Sequence, residues 1–404
     1  MIFSFEGENT TLRHQGIIKE GNIKQLFNLV LSEKGISRIE ISERTGLSRS
    51  TVSFLIDELL KVGIVNIMGK ANSNTSGKKA IMLAINQDRA QIIAVSLNKK
   101  RFCYKLFGLG CNEIEGFSES IVYEIGFGAK IRKSIFNKSG HLQQDKLLAV
   151  CVSIPAQINK ADHSISLSAL DIIKGCNLVE ELKSMWPDIP LAMGNQSSAL
   201  AYAEYKYNFN EEVEDMIFFN FNEGVAAGIF FNGKVFTAEI GHMSIDTKGP
   251  LCECGKNGCL ELYLGSDVIT KRFSAAASKG EKRFTQGDYK AIRRKLEEGD
   301  RSILKAARSI AGEVALGINN VICMFNPRFI IIGGGMEELG KVFLNMVVKE
   351  IKIPDRGGIE SGSTIKIDYS GLESAAELRG VVQYFIDNLF TITVEMGNVV
   401  HIWN

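Results

Sequence analysis

The sequence predicts an α/β protein in which a small helical domain with a β-hairpin precedes a larger body of alternating strands and helices. Three observations predict this arrangement. Positions 1–85 contain three stretches with helical spacing of apolar residues, followed by two short β-like runs. From about position 90, apolar β-like runs alternate with long helical stretches. The chain of 404 residues also exceeds the usual size of one domain.

The composition is that of a folded globular protein, because 45% of the residues are apolar and 23% are charged. Eight cysteines are too few for a scaffold that depends on disulfides. The chain has no uncharged apolar stretch of the roughly 18–20 residues that span a bilayer, and its N-terminus lacks the apolar region of a signal peptide. We therefore expect a cytoplasmic protein without a membrane partner.

The net charge of +1 excludes a uniformly basic nucleic-acid binder, but it leaves room for a small basic module. Positions 1–85 hold 11 Lys and Arg against 8 Asp and Glu, a local charge of +3. Positions 86–404 hold 36 against 38, a charge of −2. Because this difference is small, a prediction of DNA binding depends on the positions of individual residues.

Residues 1–85 are predicted to form a winged helix-turn-helix. Apolar spacing predicts a first helix over Asn22 to Ser32, and Ser37 with Glu40 is the signature of a capping box that opens a second. A third helix is predicted from Ser48 to near Gly63. Two β-like runs follow at 64–68 and 80–85, joined by a polar loop. Three helices and a hairpin in this order are typical of a winged helix-turn-helix.

The start of the third helix is expected to enter the major groove, where small polar and basic side chains reach bases and phosphates. The alternative is a helical hairpin that contacts protein. The predicted DNA-binding residues, which include two lysines at the end of the wing loop, are Arg38, Ser48, Arg49, Ser50, Thr51, Ser53, Lys78 and Lys79.

The body shows candidate strands and two long helical stretches. The helical stretches run from 195 to 207 and from 301 to 325. The candidate strands are Gln91–Leu97, Lys146–Ile154, Asp215–Phe221, Val225–Phe231 and Phe329–Ile332. The two β-rich halves are compatible with a duplicated fold.

One short segment combines four ligands that suit zinc: His242, Cys252, Cys254 and Cys259. Glycines at 249, 255 and 258 allow the backbone to turn tightly enough to bring the thiolates together. Four protein ligands leave no position for a reactive water, so the pattern predicts a structural Zn²⁺. The alternative is three unrelated thiols and a solvated histidine.

The same segment carries a family resemblance. Its order Glu-x-Gly-His followed by Cys-x-Cys-Gly-x3-Cys-x-Glu, from Glu239 to Glu261, resembles the signature of the ROK family of repressors, open reading frames and sugar kinases. The segment 1–85 resembles the winged-helix domain of the repressor branch. The resemblance implies a two-lobed, actin-like body of the sugar-kinase and ribonuclease-H-like kind. We assign 86–205, completed by a C-terminal helix at 375–392, to the first lobe, and 206–374, with the zinc loop and a dimerisation surface, to the second.

The resemblance also implies a set of sugar-binding residues. In the family, an Asn-Asp pair supplies a sugar contact and the catalytic base, and a Gly-x-Pro-Gly loop lines the sugar. This chain has Asn-Gln in the first place and Ser-Ile-Pro-Ala in the second. The implied sugar-binding residues are Pro155, Ala156, Asn195, Gln196, Glu239, His242 and Glu261.

The departures from the family pattern argue against catalysis. A kinase needs a carboxylate to accept the proton of the attacking hydroxyl, and Gln196 cannot do so. The first phosphate loop of the family kinases, Asp-x-Gly-Gly-Thr, is replaced here by Ser96–Lys100 without glycine. The second, Gly-Thr-Gly, reads Asn222-Glu223-Gly224. Only the glycine triplet at 333–335 resembles a nucleotide site, and a tight turn explains it equally well.

These observations predict a sugar-responsive transcriptional repressor that is not an enzyme. We expect a homodimer, or a tetramer, that reads an inverted repeat of double-stranded operator DNA and binds a monosaccharide or sugar derivative between the lobes of the body. Two alternatives stay open: a DNA-binding regulator controlled by a partner protein, and an active sugar kinase with an accessory DNA domain. The same features also fit an activator, or a repressor that needs a corepressor.

Overall fold

The computed structural model describes residues 10–70, 80–158, 165–168, 177–278, 283–352, 365–390 and 399–401. The helices are α1 (Thr10–Ser32), α2 (Arg38–Thr45), α3 (Arg49–Lys61), α4 (Phe127–Lys138), α5 (Leu178–Met185), α6 (Gln196–Tyr207), α7 (Glu261–Leu264), α8 (Ser266–Ala276), α9 (Tyr289–Glu297), α10 (Arg301–Phe325), α11 (Gly340–Glu350) and α12 (Ala376–Asp387). The strands are β1 (Ile36–Ser37), β2 (Val65–Lys70), β3 (Ile81–Ile85), β4 (Gln91–Asn98), β5 (Arg101–Gly108), β6 (Glu113–Ser120), β7 (Leu147–Ile154), β8 (Ala156–Ile158), β9 (Ile165–Ser168), β10 (Leu191–Asn195), β11 (Asp215–Phe221), β12 (Val225–Phe231), β13 (Lys234–Ala238), β14 (Phe329–Gly333), β15 (Lys366–Tyr369) and β16 (Val399–His401).

The N-terminal domain is a winged helix-turn-helix, as predicted. Ser37 and Glu40 form the predicted capping box at the start of α2, and Gly46 ends that helix in the left-handed conformation with φ 71°. The sheet has the order β1-β3-β2, so a two-residue strand that the sequence did not reveal pairs with the wing hairpin. Helix α1 begins at Thr10, well before the predicted start at Asn22. The wing-loop residues Lys78 and Lys79 lie outside the described residues.

The chain divides into two compact units, one of residues 1–194 and 378–402 and the other of residues 195–377 and 403–404. The body part of the first unit contains a six-stranded sheet of order β16-β10-β7-β4-β5-β6. Its strand β7 is buried at all eight positions, as expected for a parallel strand covered on both faces.

The second unit contains a five-stranded sheet of order β13-β12-β11-β14-β15. Three antiparallel strands are followed by parallel neighbours, and the first unit repeats this pattern with β16 added at its edge. The α/β fold class with a kinase-like body is thus confirmed. The common strand order also supports the duplication that the sequence suggested weakly.

The division at residue 194 differs from the predicted boundary at 205. Helix α6 packs against β11, β12 and β13, and it therefore belongs with the second sheet. Glycine at 228 permits this packing, because a Cβ there would overlap the carbonyl oxygen of Ser197 in the first turn of α6. The close approach of helix and strand positions the N-terminus of α6, where Asn195 and Gln196 lie.

The winged-helix domain contacts the end of α12 inside the first unit. Lys24 Nζ on α1 donates a hydrogen bond to Asn388 Oδ1 at 2.8 Å, and Asn28 Nδ2 donates one to the carbonyl oxygen of Asp387 at 3.1 Å. The rings of Phe27 and Phe390 meet edge to face with their centroids 5.2 Å apart. The DNA-binding domain is thus joined to the body by packing as well as by the chain itself.

Within the described ranges, none of the helices combines the length and the apolar character that crossing a bilayer requires.

Replacing Gly228 with alanine is expected to lower the free energy of unfolding by about 1–3 kcal/mol, because the added methyl group forces α6 away from β12. Urea unfolding followed by circular dichroism measures this change. The matched control is Gly312→Ala on α10, where no atom lies within 4 Å of the added carbon. The control should keep or gain stability, by up to about 1 kcal/mol, since alanine favours helix over glycine. Equal midpoints for Gly228→Ala and the wild type would contradict the packing described.

Candidate functional site

The exposed surface of the winged helix-turn-helix contains most of the residues predicted to contact DNA. Ser48 is the N-cap of α3: its Oγ accepts a hydrogen bond from the backbone N–H of Thr51 at 3.1 Å. Ser48, Arg49 and Ser50 are exposed, whereas Thr51 and Ser53 are half-buried. The guanidinium of Arg49 forms no hydrogen bond or ion pair with the residues that the structure describes, and its charge is therefore available to a phosphate or a base.

Arg38 is used inside the domain. Its guanidinium donates to the carbonyl oxygen of Ser53 at 3.0 Å and to Asp57 Oδ1 at 2.6 Å. This hydrogen bond from Arg38 lowers the pKa of the exposed Asp57 carboxyl. The arginine therefore ties α2 to α3 and neutralises a carboxylate on the outer face of α3.

The four predicted metal ligands come together in the second unit. One ligand atom from each of His242, Cys252, Cys254 and Cys259 lies within 4.8 Å of all the others. The Sγ atoms of Cys254 and Cys259 are 3.5 Å apart, and Cys252 Sγ lies 3.6 Å from His242 Nδ1. Tetrahedral zinc with Zn–S of about 2.3 Å and Zn–N of about 2.0–2.1 Å separates such ligand pairs by roughly 3.5–3.8 Å. The geometry of this Cys3His cluster therefore fits a tetrahedral metal site.

Backbone turns between β13 and α7 bring the ligands together. The N–H of Cys252 donates to the carbonyl oxygen of Lys256 at 2.8 Å, and the N–H of Gly255 donates to that of Cys252 at 2.9 Å. Gly255 and Gly258 have φ values of 86° and 62°, which explains the predicted need for glycine there. Gly249 has no positive φ, but a Cβ at that position would overlap the hydroxyl of Tyr263.

The thiols of the cluster differ in their acidity. Desolvation raises the pKa of Cys252 to about 12, and it also raises the pKa of Cys259. The backbone N–H of Lys256 lowers the pKa of Cys254. A divalent cation supplies the positive charge that two buried thiolates need.

Glu261 connects this cluster to a neighbouring turn. Its Oε1 lies 3.1 Å from His242 Nδ1 and accepts a hydrogen bond from Cys252 Sγ at 3.2 Å. Its Oε2 lies 3.7 Å from the point where a Cβ of Gly224 would lie. Glu239 precedes the short helical turn that carries His242, and its carbonyl oxygen accepts the His242 N–H at 3.1 Å. The structure thus places the carboxylate of Glu261 and the backbone of Glu239 beside His242 of the candidate metal site.

The predicted pair Asn195 and Gln196 lies at the start of α6. Asn195 is the N-cap, and its Oδ1 accepts the Ser197 N–H at 2.8 Å. Gln196 is only 6% exposed. The side chain of Asn195 therefore caps the first turn of α6. Gln196 carries an amide at the position where the family resemblance implies a carboxylate in the kinases.

The predicted loop residues Pro155 and Ala156 lie in the first unit, at the junction of β7 and β8. Ala156 pairs with Ser168 across β8 and β9. Ser153, two residues earlier, is fully buried, and its hydroxyl has no hydrogen-bond partner among the described residues; the same is true of Ser96 opposite it on β4.

The segments that would hold nucleotide phosphates have other local structures. Lys99 and Lys100 form a two-residue turn between β4 and β5, with Asn98 paired to Arg101. At the glycine triplet, the N–H of Gly335 donates to Glu337 Oε2 at 2.8 Å, and burial raises the pKa of Glu337. The side chain of Glu337 therefore accepts a hydrogen bond from an N–H group that a phosphate would need.

The comparisons with known proteins agree with this structure. Residues 130–383, more than half of the chain, match the model of the ROK family. The chain belongs to the ROK family. Residues 21–66 match a second model, described as winged helix-turn-helix DNA-binding. The family resemblance read from the zinc segment is confirmed.

Several relatives match along most of their length. The chain is 25% identical to the xylose repressor of Caldicellulosiruptor bescii over 396 residues, which cover 93% of this chain and 98% of the relative. It is 24% identical to the xylose repressor of Bacillus subtilis, with coverages of 93% and 97%. It is also 24% identical to the DNA-binding transcriptional dual regulator NagC of Escherichia coli K12, with coverages of 84% and 86%.

Two solved structures show the same fold. One is a ROK family transcriptional regulator, a homologue of the E. coli MLC protein, with a TM-score of 0.75, 20% identity and coverages of 92% of this chain and 98% of that one. The other is a ROK family glucokinase from Streptomyces griseus in complex with glucose and AMPPNP, with a TM-score of 0.61, 18% identity and coverages of 73% and 98%. At these identities the likeness establishes the fold alone.

Three residues at these sites went unpredicted from the sequence. Asp57 and Phe54 share the exposed face of α3. Their helical spacing from Ser50 was sufficient to predict that they lie on the same face. Glu337 follows the glycine triplet, but nothing in the sequence indicated that its carboxylate turns back to the N–H of Gly335.

Asn195→Ala is expected to lower the free energy of unfolding by about 0.5–2 kcal/mol, because the first turn of α6 loses its cap. Asn195→Asp keeps an acceptor at the same place and should stay near the wild type. Urea unfolding midpoints of both variants measure the difference. If Asn195→Ala is as stable as the wild type, the cap does not contribute as described.

Proposed function

We propose that this protein is a sugar-responsive transcriptional repressor whose winged helix-turn-helix binds operator DNA and whose kinase-like body binds a sugar effector. The observation that carries the proposal is the presence of a DNA-binding winged helix and a ROK body in one chain. The xylose repressors and NagC, which match this chain along most of its length, support it. Binding to chromosomal DNA requires a cytoplasmic location, which is part of the proposal.

The DNA-binding surface is the exposed start of α3 with the wing. Arg49 and Ser50 contact base edges or phosphates. Ser48 caps the start of the helix that enters the groove. Arg38 acts by fixing α2 against α3, since its guanidinium is bound to Ser53 and Asp57. A homodimer presents two such helices to an inverted repeat with half-sites about 34–36 Å apart, or a multiple of that distance.

The effector is a monosaccharide or simple derivative. In the second unit, the carboxylates of Glu239 and Glu261 accept hydrogen bonds from sugar hydroxyls beside His242, with Asn195 and Gln196 as further partners. Pro155 and Ala156, which lie in the first unit, stay predictions from the family resemblance. Carboxylates are strong acceptors for hydroxyl donors, which suits them to a polyol. The printed names of the relatives support sugar as the chemical class, and the present residues do not select one sugar.

A structural Zn²⁺ is bound by His242, Cys252, Cys254 and Cys259. The distances between these ligand atoms and the burial of two thiols support this choice. The metal closes the loop between β13 and α7, and it thereby holds Glu261 at the start of α7. Four protein ligands leave zinc no catalytic position.

Cys254→Ala is expected to reduce bound zinc from one equivalent per chain to almost none, because three ligands hold the metal far more weakly than four. Metal analysis of the purified protein measures the content directly. Cys323→Ala, which removes an exposed thiol on α10, is the matched control and should keep its zinc. Full metal content in Cys254→Ala would contradict the assignment of the ligands.

The body binds its sugar without phosphorylating it. Gln196 has no proton affinity near neutral pH, and the turn at Lys99 and Lys100 has no glycine N–H groups for phosphates. Glu337 accepts the hydrogen bond of the Gly335 N–H, a group that a phosphate would need. Each of these three features independently opposes ATP-dependent transfer.

Helix α12 connects the body to the DNA-binding domain. Its first turn coincides with the division between the units, at Glu377 and Leu378, and the residues at its C-terminal end contact α1 through Lys24, Asn28 and Phe27. In this proposal, sugar binding to the body changes the position of α12. The movement then reaches α1 and, through it, α2 and α3. Couplings of this kind are typically about 1–3 kcal/mol.

A thermal-shift screen of monosaccharides followed by calorimetry tests the effector site. We expect a sugar that binds the wild type and binds Glu261→Ala at least tenfold more weakly, because the variant loses an acceptor for the sugar hydroxyls. Glu253→Ala, which removes an exposed carboxylate of the same loop, is the control and should bind as the wild type does. Zinc content is measured in both variants, so that loss of the metal is distinguished from loss of the acceptor.

Absence of binding by every sugar would contradict the effector site and favour control by a partner protein. Transfer of phosphate from ATP to a bound sugar, followed by a coupled assay, would contradict the non-catalytic role and favour the kinase alternative.

A further inference from the structure

The outer face of α3 carries a large apolar side chain that the predicted set of DNA contacts does not include. Phe54 is 55% exposed, although aromatic residues of this size are usually buried. At about 100° per residue, Ser50, Phe54 and Asp57 project from the same side of α3. The opposite side is buried in the domain by Val52, Leu55, Ile56 and Leu59.

The position of the Phe54 ring is restrained. Lys19 Nζ on α1 lies 5.2 Å from the ring centroid, in a cation–π contact, and donates to Glu58 Oε2 at 3.0 Å. The ring therefore has an ordered cationic neighbour on α1, and more than half of its side chain remains open to solvent. A restrained aromatic side chain loses little conformational freedom when it contacts a ligand.

The charges around Phe54 favour DNA over an apolar protein surface. The two carboxylates nearest along the helix, Asp57 and Glu58, are paired with Arg38 and Lys19. Arg49 and Lys61, at the two ends of α3, form no ion pair with any described residue. The face is thus apolar at its centre and cationic at its ends, which suits a groove lined by phosphates.

We propose that Phe54 is a specificity-determining residue that contacts the C5-methyl group of a thymine in the major groove of each operator half-site. This methyl group is the one apolar feature on the major-groove edge of a base pair, and phenylalanine is among the side chains that contact it. Ser50, one turn earlier on the same face, offers a hydroxyl to an adjacent base. The proposal rests on operator binding by α3, and it adds which base this helix selects.

Deoxyuridine pairs as thymine does but lacks the methyl group, so it tests the contact directly. Operator sequences are first selected from random duplex DNA with the full-length wild-type protein. Each selected thymine is then replaced by deoxyuridine in both half-sites, and affinities are measured by fluorescence anisotropy at fixed salt. At one symmetric position, we expect the wild-type Kd to rise about fourfold for each half-site substituted, and so about sixteenfold for both, since burial of one methyl group stabilises by about 0.8 kcal/mol.

Phe54→Ala combined with the deoxyuridine substitution forms a double-mutant cycle. It should weaken binding to the thymine operator, and the same deoxyuridine substitution should then change its Kd less than twofold. Arg49→Ala is the comparison, because it should weaken both operators equally and keep the fourfold effect per half-site. Lys19→Ala should also keep the effect, which distinguishes a base contact from an indirect role of the cation–π pair. Thermal melting verifies that each variant is folded.

The outcomes distinguish the thymine contact of Phe54 from the proposed repressor function. If no sequence is selected, operator binding itself fails. If operators are selected but every deoxyuridine substitution is neutral, or if Phe54→Ala keeps the full penalty, the thymine contact is wrong while the repressor function stands.

Discussion

The meeting of four ligand atoms from His242, Cys252, Cys254 and Cys259 is the constraint on which the proposed effector site depends. The loop that carries them has only two isolated β-bridges, between residues 244 and 259 and between 251 and 257, so it has little regular structure of its own. Glu261 begins α7 directly after the last ligand. A metal that closes this loop therefore fixes the carboxylate that follows it. A metal held by these four ligands would position the loop and would have no open coordination site for catalysis.

The fold is kinase-like, with α6 packed closely on β12 at Gly228 and two sheets of common strand order. Several features of this fold do not suit action on ATP. They are the amide of Gln196, the turn at 99–100 without glycine, and the hydrogen bond from the N–H of Gly335 to Glu337. The free energy of sugar binding can shift a conformational equilibrium when the sugar binds one state better than the other.

Much of the fold and the set of candidate metal ligands could be predicted from the sequence, because the patterns that indicate them lie within short segments. The capping box at Ser37, the spacing of the zinc ligands and the apolar runs of β11 and β12 each depend on neighbouring residues. The features that the sequence did not indicate are contacts between residues that are distant along the chain. Whether α6 belongs with the first or the second sheet depends on packing at Gly228, and the ion pair of Arg38 with Asp57 joins two helices. The contact of α1 with the end of α12 joins residues from opposite ends of the chain, a separation over which periodicity carries no information.

We propose that sugar bound by the body changes the affinity of α3 for DNA through α12 and α1. The most direct measurement is the Kd for the selected operator, obtained by fluorescence anisotropy at fixed salt, without sugar and with saturating sugar. We expect sugar to raise this Kd about 5- to 150-fold, the range of typical allosteric coupling. An unchanged Kd, in the presence of a sugar that calorimetry shows to be bound, would contradict it.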